Sequence, residues 1–148
     1  MTWQKLLTEN KIKTHSTSKS EIENIFALVE RDLADAALPG LSADRSFAIS
    51  YNAAQQLSQA VVACAGYRLR SIPGHHRVML ECLELAMGAP STRYSTYFDL
   101  CRNKRNHLEY DRSSVVSQTE ADELLKIAGE FSADVKAWIK ANHAGLLP

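Results

Sequence analysis

The sequence predicts an all-α fold, an antiparallel four- to five-helix bundle with four long helices and a shorter one, and three observations carry that prediction. Glycine and proline are scarce in the 148 residues, six and four, and most punctuate the chain at Pro39-Gly40, Pro73-Gly74 and Gly88-Ala89-Pro90. Between those marks apolar residues recur at steps of three and four, the helical period. No run of alternating apolar and polar residues is long enough to predict a strand.

Each element follows in order. Residues 1–19 are expected to form an N-terminal extension or a short helix around Trp3, Leu6 and Leu7, ahead of the polar link Thr14 to Ser18. The bundle domain is expected over 20–143. Ser20-Glu21-Ile22-Glu23 has the form of a capping box, and Ile22, Ile25, Phe26, Val29 and Leu33 then mark a helix to Leu38. Ser42 can cap a second helix, with the stripe Phe47, Tyr51, Ala54, Leu57, Val61, Cys64 and Ala65, that ends near Gly66-Tyr67. A third starts after Pro73-Gly74, carries Val78, Met79, Cys82, Leu83 and Leu85, and stops at Gly88-Ala89-Pro90. Ser91 or Thr92 opens a fourth through Tyr94, Phe98, Cys101, Leu108 and Tyr110. Ser117-Gln118-Thr119-Glu120 repeats the capping-box form for a fifth, with Leu124, Ile127, Ala128, Phe131, Val135, Trp138 and Ile139 as its stripe.

Composition narrows the function. Hydrophobic residues make up 45% of the chain, too many for a disordered tail and enough for a core without metals or disulfides. Three cysteines, Cys64, Cys82 and Cys101, lie far apart among apolar helical residues, as buried thiols in a reducing compartment do. The N-terminus lacks the apolar run of a signal peptide, and no stretch approaches a membrane span, so a cytoplasmic location is expected, with no membrane partner. The 17 basic and 17 acidic side chains balance, which argues against bulk coating of nucleic acid. No DNA partner and no cofactor are expected.

By segment the balance breaks. Residues 67–112 hold eight basic side chains (Arg68, Arg70, Arg77, Arg93, Arg102, Lys104, Arg105, Arg112) against five acidic ones, whereas 21–66 hold two against six. On a helical wheel with Tyr94 at zero, Tyr97, Phe98, Cys101 and Leu108 fall within about 60° and form a core stripe. Asp99, Arg102, Asn103, Asn106, His107 and Tyr110 occupy the opposite arc, from about 80° to 220°. Surface helices favour Lys, Glu and Gln, so this arc of indifferent helix formers and good polar ligands stands out. Arg105 falls at about 20°, inside the apolar stripe, where pairing with Glu81 or Glu84, or a bend in the helix, is expected. His75-His76 sits where a turn meets a helix start. Adjacent histidines are expected to point apart, and no third ligand follows at metal spacing.

The run Arg102-Asn103-Lys104-Arg105-Asn106-His107 resembles the Arg-x(4–6)-His signature of HEPN domains, helical nucleases and nucleotide-binding modules of prokaryotic toxin–antitoxin and defence systems. Gly66-Tyr67-Arg68, Gly74-His75-His76-Arg77 and Tyr110-Asp111 extend the likeness to small bacterial members of that superfamily, over about residues 20 to 140. The resemblance implies a metal-independent endoribonuclease in which a 2′-hydroxyl attacks the adjacent phosphate of an RNA substrate. His107 would be the general acid or base, Arg102 the stabiliser of the phosphate, and Asn103 the residue that orients His107 or holds a phosphate oxygen. Lys104, Arg105, Asn106 and Tyr110 are the expected substrate-binding residues. One histidine does not serve easily as acid and base at once, so a homodimer that joins two such helices across a groove is expected, as members of the superfamily resemble.

Two departures shape the alternatives. In toxin relatives a tyrosine in the form His-x-Tyr is the target of an adenylylating nucleotidyltransferase antitoxin, whereas the spacing here is His107-Leu108-Glu109-Tyr110. A nucleotidyltransferase-type antitoxin is therefore a partner the resemblance raises and the spacing weakens. The recurring element of this branch is Arg-Asn-x3-Tyr, here Arg105-Asn106 to Tyr110, and some relatives lack the histidine. The other reading is a non-catalytic helical module that binds a nucleotide, an RNA or a partner protein.

Overall fold

The computed structural model describes residues 1–110 and 116–147, with the side chains of 107–110 outside the described set. In chain order its elements are α1 (Trp3–Thr8), β1 (Ile12–Thr14), α2 (Lys19–Ala36), α3 (Ala43–Cys64), β2 (Tyr67–Leu69), α4 (His75–Met87), α5 (Thr92–Tyr110) and α6 (Gln118–Asn142). Single 3-10 turns occupy Ala89–Ser91 and Ala144–Leu146. The protein is mostly helical, as the apolar period predicts.

The helix ends follow from their caps. Ser42 accepts from the Arg45 amide, and Ser117 forms a full capping box with Glu120, each side chain accepting from the other's backbone amide. The start of α2 differs from expectation by two residues. Its cap is Ser18, whose hydroxyl accepts from the Glu21 amide at 3.1 Å. The Glu21 carboxylate, which Ser20-x-x-Glu23 reasoning left unused, meets His15 instead, with both oxygens 3.0 Å from Nε2.

Central in the bundle is α3, which packs against α2, α4, α5, α6 and β2. Small side chains make that possible, because Ser46, Ser50, Ala53, Ala54, Ser58, Ala60 and Ala63 are buried beside Phe47, Tyr51, Leu57 and Val61 and let neighbouring helices approach closely. Two of the buried hydroxyls are satisfied by backbone: Ser46 donates to the Ala36 carbonyl at 2.8 Å and Ser58 to that of Ala54 at 2.9 Å. The first of these bonds places the end of α2 at the start of α3, an antiparallel pair. Likewise α5 runs against α6, with Tyr94 and Phe98 on the Phe131 ring at 4.7 and 5.2 Å and Lys104 farther along at Glu120. The starts of α3 and α6 meet, where the Val116 amide donates to Asp44 at 3.2 Å.

The two-stranded sheet corrects the expectation of a purely helical chain. β1 and β2 pair antiparallel in the register Ile12↔Leu69, Lys13↔Arg68 and Thr14↔Tyr67. Gly66, at φ +97°, ends α3 and turns the chain into β2. The inward face of this ribbon joins a second core in which Leu6, Ile12, Val62, Val78 and Cys82 are buried and Tyr67 and Leu69 pack alongside. Trp3 stacks on Tyr67 with ring centroids 4.5 Å apart. Residues 1–19 thus contribute a helix, a strand and buried side chains to the body of the protein.

Candidate functional site

The motif face occupies the second half of α5. Its buried side follows the wheel, with Tyr94, Phe98 and Cys101 in the core. On the other side Arg102 lies half-covered and donates from Nε and Nη2 to Asp99 Oδ1 at 3.2 and 3.1 Å, one turn back. Asn103 and Asn106 are exposed. The α5 backbone continues through His107 and Tyr110, but those two side chains lie outside the described residues, and so does Asp111.

Two of the expected substrate-binding residues are engaged within the fold. Lys104 Nζ lies 3.2 Å from Glu120 Oε2 and ties α5 to the first turn of α6. The Glu120 carboxyl is held below the usual carboxylate range by the Ser117 amide it accepts from and by Lys104. Arg105 sits over the Tyr51 ring, with Cζ 5.2 Å from the centroid. Of the two acids expected beside it, Glu84 takes the hydroxyl of Ser95.

Tyr51 is a neighbour of the motif that its place in the α3 stripe marked only as core. Its side chain is buried, its hydroxyl has no hydrogen-bond partner among the described residues, and burial pushes the phenol up to about 12 against the pull of the Arg105 and Arg102 guanidiniums. His76 packs near its ring and lies 2.9 Å from Gln55 Nε2 through Nδ1. The paired histidines do open α4, but their rings do not diverge. The His75 ring folds back, Nδ1 3.0 Å from the Ile72 carbonyl, and its centroid lies 4.1 Å from that of His76. A carbonyl only accepts, so that Nδ1 carries the proton. Among the described residues no group of His, Cys, Asp and Glu is arranged to hold a metal ion.

A second concave feature lies away from α5. A cleft of about 420 Å³ opens where β2, α2, α3 and the start of α4 meet, lined by His15, Glu21, Ile25, Gln59, Val62, Ala63, Tyr67, Arg68, Leu69, Arg70, Ser71 and His75. Sequence reasoning gathered Arg68, Arg70 and His75 into a basic segment but not into a cleft. The link that assembles it is the pairing of β1 with β2, which carries His15 to the end of β2, its amide donating to the Gly66 carbonyl at 2.9 Å.

Comparison with family models, with curated proteins and with solved structures finds no match in any of the three. No helix among the described residues is long and apolar enough to cross a membrane.

Proposed function

We propose that this chain is a metal-independent endoribonuclease of HEPN type, acting as a homodimer in a toxin or defence role. His107 moves the proton of the 2′-hydroxyl or of the leaving oxygen, Arg102 stabilises the phosphate as charge develops, and Asn103 orients the reacting groups. One observation carries the reading: Asn103 and Asn106 are exposed on α5, and Arg102, partly buried on the same face, pairs with Asp99 rather than with a core residue. Donors kept at the rim of a helix suit the oxygens of a backbone phosphate. Buried, unbridged Cys64, Cys82 and Cys101 support a cytoplasmic setting. A nucleotidyltransferase-type partner belongs to the toxin form of this reading.

The deciding experiment incubates labelled single-stranded RNA with the chain in excess chelator. Cleavage that His107→Ala and Arg102→Ala abolish supports the nuclease; no cleavage, or cleavage that His107→Ala leaves intact, rejects it. A dimer is expected by sedimentation at micromolar concentration, and a fully active monomer contradicts the shared groove.

The non-catalytic module is the second reading, and the pairing of Lys104 with Glu120 and Arg105 with Tyr51 favours it, because two motif cations then serve the fold. Under that reading Arg102→Ala weakens retention of RNA or nucleotide while His107→Ala changes little.

A further inference from the structure

The cleft beside β2 is separate from the α5 face, and none of Arg102, Asn103, Lys104, Arg105 or Asn106 lines it. Its charge follows from strand register. Side chains alternate along a strand, so Arg68 leaves β2 on the side opposite Tyr67 and Leu69, and Arg70 follows directly after the strand's last residue. Across the ribbon Lys13 is the registered partner of Arg68, and the Arg70 amide donates to the Lys11 carbonyl at 3.1 Å. Like charges directly opposite one another weaken an antiparallel pair. Glu9 answers Lys11 at 3.7 Å, whereas the side chains of Lys13, Arg68 and Arg70 have no carboxylate partner among the described residues. The carboxylate in the cleft lining is Glu21, and His15 occupies both of its oxygens. A chain with 17 acidic side chains has carboxylates enough to neutralise this face and leaves it basic.

We propose that this cleft binds the phosphate of a nucleotide, either free or as a unit of an RNA strand, between Arg68 and Arg70. Each guanidinium offers a planar fork that matches phosphate oxygens, and both are exposed and free to turn inward. Ser71 adds a hydroxyl donor at the same edge. The lining also includes the apolar Ile25, Val62 and Leu69, which suit a base or a ribose rather than a second phosphate. At about 420 Å³ the cleft lies in the range of small-molecule sites. This ligand is independent of the α5 chemistry, so it is tested in protein that lacks His107.

The test is calorimetric titration of His107→Ala protein, full length, with AMP, ATP and a short single-stranded oligoribonucleotide. Each titration is repeated with Arg68→Ala/Arg70→Ala added, and with Lys126→Ala/Lys140→Ala added as a charge-matched control on α6. The arginine pair is expected to weaken binding about tenfold or more and, for RNA, to lower the salt slope by about 0.7, the value for one lost phosphate contact on a single strand. Mononucleotide binding that the arginine pair weakens assigns the free nucleotide as ligand, and oligonucleotide binding alone that it weakens assigns the strand; either supports the site. No binding of any probe at millimolar concentration, arginine variants that bind as tightly as their parent, or an equal loss in the α6 control overturns it. Arg68→Lys/Arg70→Lys, which keeps the charge and removes the forks, is expected to lose severalfold and stands in for the alanine pair should that variant not unfold cooperatively.

Discussion

The Arg105 guanidinium lies over the ring of Tyr51, and this contact joins the motif helix to the centre of the bundle. A cation set against a buried ring contributes about 0.5–2 kcal/mol, so Arg105→Ala is expected to lower the unfolding free energy by about that much, read as a fall in the urea midpoint. Tyr51→Phe keeps the ring and removes a buried hydroxyl that has no partner among the described residues. It is expected to leave stability unchanged or raise it by about 1 kcal/mol, and a loss beyond about 1 kcal/mol would show that the hydroxyl is satisfied in solution.

Under the proposed function, Asp99 and an RNA phosphate compete for Arg102. In Asp99→Asn the guanidinium is released, so RNA affinity is expected to rise severalfold, with a stability change under about 1 kcal/mol because the pair is partly exposed. Filter binding across a salt series reads this directly. Weaker binding in the variant would mean that Asp99 holds Arg102 in its working position.

The three thiols make stability fall in alkali. Burial pushes Cys64 up to about 11 and Cys82 and Cys101 up to about 12, above the value of about 8.5 for a free thiol. The unfolded chain therefore loses these protons first as pH rises. Stability is full below about pH 8.5 and declines above it by up to about 1.4 kcal/mol per pH unit for each thiol. Urea midpoints at pH 8 and pH 10 test the slope, and a thiol reagent at pH 8 is expected to label native protein far more slowly than unfolded protein.

The capping box of α6 responds to acid in the opposite sense. Because Glu120 is held below the usual carboxylate range, its contribution is present above that range and is lost as pH falls through its folded value. Glu120→Gln is expected to flatten the acid limb of the stability curve. Ser117→Ala, which removes the other half of the box, is expected to lower stability by about 1 kcal/mol at neutral pH.

Leu6 and Ile12 are fully buried in the second core. Leu6→Ala and Ile12→Ala are each expected to lose about 2–4 kcal/mol by chemical denaturation. Losses below about 0.5 kcal/mol would mean that the N-terminal segment is detached in solution.

Helices were legible because each carries its own period and punctuation within a few turns of chain. Ser42 and Ser117 cap where their spacing predicts, whereas of two overlapping Ser-x-x-Glu patterns it is Ser18, not Ser20, that caps α2. The strands were not legible. Ile12–Thr14 and Tyr67–Leu69 span three residues each, too few for an alternating signal, and each exists only because the other lies beside it. Of the candidate site, the polar arc of half-covered Arg102 and exposed Asn103 and Asn106 was readable from angular position alone. The fates of Lys104 and Arg105 were not, since Glu120 and Tyr51 reach them from other helices. His15, Arg68, Arg70 and His75 share a cleft for the same non-local reason.

The ribbon also sets an order of events during synthesis. β1 leaves the ribosome well before β2, with α2 and α3 emerging between them. Until Tyr67–Leu69 follows, the nascent chain carries Leu6 and Ile12 uncovered and an edge with no strand to pair. The α2–α3 hairpin, whose contacts are near in sequence, can form in that interval. Closure of the N-terminal segment onto it is then a late step, and it is the step that creates the cleft.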